Sequence, residues 1–278
     1  MTTAVQMNAN NENLLNIIRP YQGYGPIDVY ESIYSSNYNS LQASLQKRFR
    51  AGSLVGINYT WSKSLTDRPD EPGGNLPVPQ NTYNLTSEYG PSRFDRRNVF
   101  NANFVYELPF FSQQQGLVGH TLGGWEFSGI IELQSGQWLS PIGNSSVDPG
   151  GLGVFTSATA PHSTRPDQVA NPNSQAPHTI AQWYNTTAFT DVPTDAFRGG
   201  NAPRATILGP GSERWDLSFL KNIKVYEGSA FQFRAEAFNI WNHTNYNNVD
   251  VTQDDGTTGQ VLGAGEKRIL QLALKFNF

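Results

Sequence analysis

The last eleven residues, 268–278, read RILQLALKFNF. Leu270, Leu272, Leu274, Phe276 and Phe278 fall on one side of an extended chain, and Ile269, Gln271, Ala273, Lys275 and Asn277 on the other. A strand that is apolar on one side and runs to a final aromatic suits a water-soluble protein poorly. Chain ends fray into water, and a bare apolar edge recruits other strands. A membrane β-barrel asks for this pattern. Its spanning strands need roughly 9–11 residues, with an apolar side toward lipid, a polar side toward the lumen, and aromatics at the water interface.

The alternation recurs upstream. Residues 38–49 place Leu41, Ala43, Leu45, Lys47 and Phe49 opposite Gln42, Ser44, Gln46 and Arg48. After the turn residues RAGS, 54–65 set Val55, Ile57, Tyr59 and Trp61 against Gly56, Asn58, Thr60 and Ser62, completing a hairpin with one greasy and one wet side. Strands are also predicted over 98–108, 125–139, 214–225 and 231–241, with a weak one at 27–34. Seven or eight strands result. After the 38–49 strand their connections run short, long, medium, very long, short, long, the longest loops being 66–93, 140–212 and 243–266. Outer-membrane barrels have short periplasmic turns and longer extracellular loops, so the alternation predicts that topology and a periplasmic C-terminus. Trp61, Trp215 and Trp241 lie near the loop ends of their strands, and Trp125, Phe231, Phe276 and Phe278 near the turn ends, as two aromatic belts require. A soluble β-sandwich also alternates, burying its apolar face against a second sheet, but does not need these two further features.

Composition narrows the class. No run approaches the roughly 18 apolar residues of a spanning helix, and the mean hydropathy is −0.47. The 278 residues carry a net charge of −4 and no basic field, which argues against a nucleic-acid partner. There is no cysteine, so disulfides and thiolate sites are excluded. The fold class expected is all-β: an antiparallel transmembrane β-barrel segment over 27–278 behind a polar lead-in, 1–26. The N-terminal residues lack the charged start and apolar core of an export signal. A barrel must be exported, so we expect the C-terminal part of a longer protein, or a start that has been lost or misassigned.

Several segments carry a resemblance: NYNSLQASLQKRF, INYTWSKSLTD, YGPSRFDRRNVFNANFVYELPF, GWEFSGIIELQSGQWLSP, RGGNAPRATILGPGSERWDLSFLKN, FRAEAFNIWNHTNY and LQLALKFNF. In order and spacing they resemble the C-terminal barrel region of Oar-like TonB-dependent outer-membrane receptors, from about Tyr21 onward. The resemblance implies the final portion of a large plugged barrel of about 22 strands. It implies ligand binding and uptake across the outer membrane of a Gram-negative bacterium. Expected partners are outer-membrane lipid, the barrel-assembly machinery reading Phe278, an unknown transported ligand, and TonB only through an N-terminal region absent from this sequence. A small self-closed barrel serving as anchor or adhesin, and a soluble β-sandwich binding module, are the alternatives.

Candidate sites are few. Arg93, Asp95, Arg96 and Arg97 crowd the entry to one strand, as anion contacts at the mouth or as a rim salt-bridge network. Arg234, Glu236, Glu126 and Glu132 point to the lumen if the alternating aromatics face lipid. Trp183, Tyr184, Phe189 and Phe197 offer either a binding surface on the longest loop or a small core that keeps it folded. Nothing points to catalysis, a cofactor or a metal: His120, His162, His178 and His243 lack zinc-ligand spacing, and Asp250, Asp254, Asp255 and Gly256 do not fit a calcium-loop register. The chain is therefore not expected to be an enzyme.

Overall fold

The computed structural model describes residues 21–22, 24, 32–49, 52–68, 79–81, 83–143, 156–157, 160–161, 164–193, 195–196, 198–226, 228–253 and 256–278. Residues 1–20, most of the weak 27–34 strand, His162, Phe197, Asp254 and Asp255 lie outside the described residues.

Seven long strands make up the main sheet: β1 (Ser36–Arg48), β2 (Leu54–Thr66), β3 (Asn98–Glu107), β4 (Trp125–Gln134), β5 (Ser212–Tyr226), β6 (Ser229–Phe238) and β7 (Ile269–Asn277). They neighbour one another in sequence order, every pair antiparallel, with the two-residue strand Gly90–Pro91 added to the end of β2. This is the up-and-down meander from which closed barrels are built. β1 and β7 are its two edges. No helix among the described residues is long and apolar enough to cross a membrane.

Register carries one side-chain face across the whole sheet. Leu45 lies opposite Ile57, Ile57 opposite Ala102, Ala102 opposite Ile131, and Ile131 opposite Trp215. Farther along, Phe219 faces Ala235 and Ala235 faces Leu272. Because opposed residues share a face, every strand contributes its apolar set to one side. Among the described residues no second sheet covers that side: Leu272 is 73 % exposed, and Leu41, Leu45, Leu270 and Leu274 are comparably open. A soluble sandwich would bury these positions. Gly129 keeps the face smooth, since a Cβ there would lie 2.6 Å from Leu217 and 2.9 Å from the Phe104 ring.

Two predicted strand ends are corrected. The 125–139 strand stops at Gln134, and Trp138–Leu139 pairs instead with Ile207–Leu208. The break falls where Gly136 packs against the Gly209 carbonyl, too close for any side chain. The 231–241 strand stops at Phe238, because Asn239 turns into the left-handed region at φ 50°. At the other end of the chain, residues 32–35 carry no strand, and pairing begins at Ser36.

Connections alternate between the two ends of the meander. The shorter ones, 49–53, 108–124 and 227–228, share one end; the long ones, 67–97, 135–211 and 239–268, share the other. The long ones carry short paired strands, including Asp167–Gln168 with Phe189–Thr190 and Tyr246–Val249 with Val261–Ala264. Here lies the principal buried apolar cluster of the described residues: Tyr184, Ala188, Phe189, Ala202, Ile207 and Val249, with Leu139, Trp183, Val251 and Val261 packed against it.

Candidate functional site

Three regions have distinct chemistry: the polar face of the sheet, the cap formed by the long connections, and the aromatic levels at the strand ends.

The polar face is the complement of the apolar one. Ser44 donates to Asn58 at 2.8 Å, and Gln232 to Asn222 at 2.9 Å. Arg214 pairs with Asp216 at 2.8 Å and sits opposite Glu132. Arg234 pairs with Glu236 at 3.7 Å. Glu126 lies opposite Glu107 on one side and Leu220 on the other, and Leu220 is itself opposite Arg234. Arg234, Glu236, Glu126 and Glu132 are thus all on the polar face. Five acidic and two basic side chains, Glu107, Glu126, Glu132, Asp216 and Glu236 with Arg214 and Arg234, make this a mixed-charge wall.

The cap is tied down by arginines. Arg165 meets Glu88 at 2.8 Å, both nearly excluded from solvent, and its Nε donates to the Ala202 carbonyl. Arg204 donates to the carbonyls of Glu88, Thr66 and Gly90 at 2.7, 2.7 and 3.0 Å, stitching the 135–211 connection to the end of β2. Arg198 and Asp167 form a two-pronged pair at 2.6 Å for each prong. That bonding holds the Asp167 carboxyl below the usual aspartate range, helped by the Asn201 backbone N–H. The 239–268 connection joins through the Ile142–Thr252 bridge and through Trp183 N–H donating to the Gly259 carbonyl at 2.7 Å. Asp250 organises its own turn, accepting from Thr252 N–H and the Thr257 hydroxyl.

The rim residues do not form the ion-pair network that their crowding implies. Asp95 is buried and accepts from Ser64 N–H at 2.5 Å and the Trp138 indole at 3.1 Å; among the described residues it makes no ion pair with Arg93, Arg96 or Arg97. Arg96 reaches Gln137 at 3.0 Å, while Arg97 and Arg93 lie over the rings of Trp61 and Phe94. The cluster pins the 67–97 connection to its neighbours. In the longest loop Tyr184 is 1 % exposed and Phe189 is buried beside it, so neither presents a surface to ligand; Trp183 is half-buried and packs on both His178 and Tyr246. His243 contacts Glu213 at 3.1 Å, at the opposite end of the meander from His120.

At the long-connection end Trp215 packs edge-on to Trp241, with ring centres 6.3 Å apart. At the opposite end Phe231 lies against Phe276, and Phe276 against Phe278. Two aromatic levels therefore bound the apolar face, the pattern of a wall crossing a bilayer. A family model of the outer membrane beta barrel domain matches residues 2–271. The chain belongs to that family. Among curated proteins and solved structures, none matches it. The seven strands, each 9 to 15 residues long, have the length that a tilted strand needs to cross a hydrocarbon layer.

Arg165, Glu88, Arg204, Arg198 and Asp167 are the residues that sequence reasoning misses. The available signal is that arginines are sparse in the charge-poor 140–212 stretch, where each buried cation needs a specific partner.

Proposed function

We propose that this outer membrane beta barrel domain is wall and cap of a TonB-dependent receptor of the Oar-like kind, taking part in ligand binding and uptake. In this reading the apolar face contacts lipid and the polar face lines the route. The fused long connections form the external ligand-capturing surface. The short connections and the C-terminus are periplasmic, with Phe278 read by the assembly machinery. Further strands, a plug and the TonB contact come from sequence outside this chain. The observation that carries the reading is the meander itself: an uninterrupted apolar face with every long connection gathered at one end into a cap with its own core. The segment resemblance to Oar-like receptors supplies the finer assignment.

Two measurements test it. Folded barrels resist detergent, so the unboiled protein is expected to migrate differently from the boiled one on a gel; identical migration would count against a closed wall. An antibody to residues 166–184 should detect, in outer-membrane fractions, a band far above the 30.8 kDa of this chain. A band near that mass would leave no room for plug and TonB contact, and the receptor reading would fail.

A further inference from the structure

The connection between β3 and β4, residues 108–124, contains no Asp, Glu, Lys or Arg. It nevertheless exposes five large apolar side chains: Phe110, Phe111, Leu117, Val118 and Leu122, with Leu117 87 % exposed. Within it is a short helix, α1 (Gly116–Leu122), whose Leu117, Val118 and Leu122 share one side, with His120 on the other. An aqueous loop with this composition would be an aggregation liability.

The connection is tied by hydrogen bonds to β5 and Trp125, on one side of the wall. Lys221 belongs to the apolar face, opposite Trp125 and Phe233, yet it is buried. What covers it is the end of α1: Lys221 Nζ donates to the carbonyls of Gly123 and Thr121. The Trp125 indole, on the same face, also donates to Thr121 O at 3.0 Å. A cation on the last carbonyls of a helix is favourable. Beyond the end of β4, Gln114 grips β5 twice, donating to Asn222 O at 2.7 Å and accepting from Lys224 N–H at 3.0 Å. Gln114 and Phe111 are held at positive φ, 53° and 52°, a cost that the surrounding bonds offset. At Gly123 a Cβ would collide with the Phe111 carbonyl, so the loop closes tightly.

We infer that residues 108–124 are a membrane-interfacial foot that seats Phe110, Phe111, Leu117, Val118 and Leu122 in the headgroup–acyl boundary of the leaflet at the short-connection end. The occupant is lipid because the foot continues the apolar face at the level of its lower aromatics, and because an uncharged segment has nothing to offer a charged protein surface. Lys221 and Trp125 are the amphipathic side chains expected at that depth. The inference rests on the membrane reading of the sheet.

Because the chain has no cysteine, single substitutions give unique spin-label sites. Leu117→Cys, Leu272→Cys on the apolar face, and Tyr83→Cys, 98 % exposed in the cap, would each be labelled in protein assembled in outer-membrane vesicles. Collision with oxygen, which partitions into lipid, is compared with collision with a water-soluble nickel chelate. The expected result is that Leu117 follows Leu272, favouring oxygen, while Tyr83 favours nickel. If Leu117 follows Tyr83 while Leu272 stays in lipid, the foot is wrong and the membrane wall stands. If both favour nickel, the membrane reading falls and the foot with it. A Leu117 label shielded from both reagents would mean that protein covers the foot, which also overturns the lipid assignment.

Discussion

Glu88 and Arg165 show how much one buried pair decides. Each would be an uncompensated charge without the other, and removing one partner of such a pair costs about 3–5 kcal/mol. Glu88→Gln should therefore loosen the cap, and amide hydrogen exchange over 164–209 should accelerate while the strands keep their protection. Unchanged exchange in the cap would contradict the anchoring role. Asp167 makes a pH prediction. Its folded carboxyl is held below its unfolded value of about 3.9 by the Arg198 hydrogen bonds. The stabilisation is accordingly in place above that unfolded value and is lost as pH falls through the lowered folded one. Carboxyl NMR should find Asp167 titrating below ordinary aspartates, and Arg198→Ala should return it to them; a midpoint at or above the ordinary range in the intact protein would overturn the pairing. None of these contacts was legible from local sequence. Arg165 and Glu88 stand 77 positions apart, and Arg204 reaches a carbonyl 138 positions away. The aromatic cluster of the longest loop was visible as residues, but burial of Tyr184 and Phe189 depends on Val249 arriving from another connection.

At the scale of the element, the strands were legible because period two is a property of each strand alone. Leu270 to Phe276 alternate in sequence and alternate again in register with Phe231 to Ala237. Boundaries were less so: β4 ends at Gln134 because of a contact between Gly136 and Gly209, 73 positions further on. The cap strands of two residues and the helix α1 of seven are too short for any period to show. The asparagines that looked merely loop-like have local work, Asn81, Asn171 and Asn185 each accepting from a backbone N–H two residues on. Depth along a strand gives a test. Leu272→Arg puts a charge on the lipid side near mid-strand and should cost about 2–4 kcal/mol of folding stability in a bilayer. Gln271→Arg, one residue away on the polar face, should cost far less, as measured by denaturant unfolding in vesicles. Equal penalties would mean that the two faces do not meet different solvents.

At the scale of the whole molecule, the asymmetry of the connections organises the rest. Strict meander order sends alternate connections to opposite ends, so connection lengths read from the sequence already divide the molecule into a capped end and a footed end. The cap's own core and the side on which the foot lies required the fold. Phe278 offers a test at this scale, since Phe278→Ala is expected to lower the assembled outer-membrane level if the final aromatic is what the assembly machinery reads; wild-type levels would remove that role. The central claim is that one face of this sheet meets lipid and the other water, and the most direct measurement is a single-cysteine scan along residues 270–276 in outer-membrane vesicles. The account predicts lipid exposure at 270, 272, 274 and 276 and water exposure at 271, 273 and 275. Uniform water exposure at all seven would contradict it.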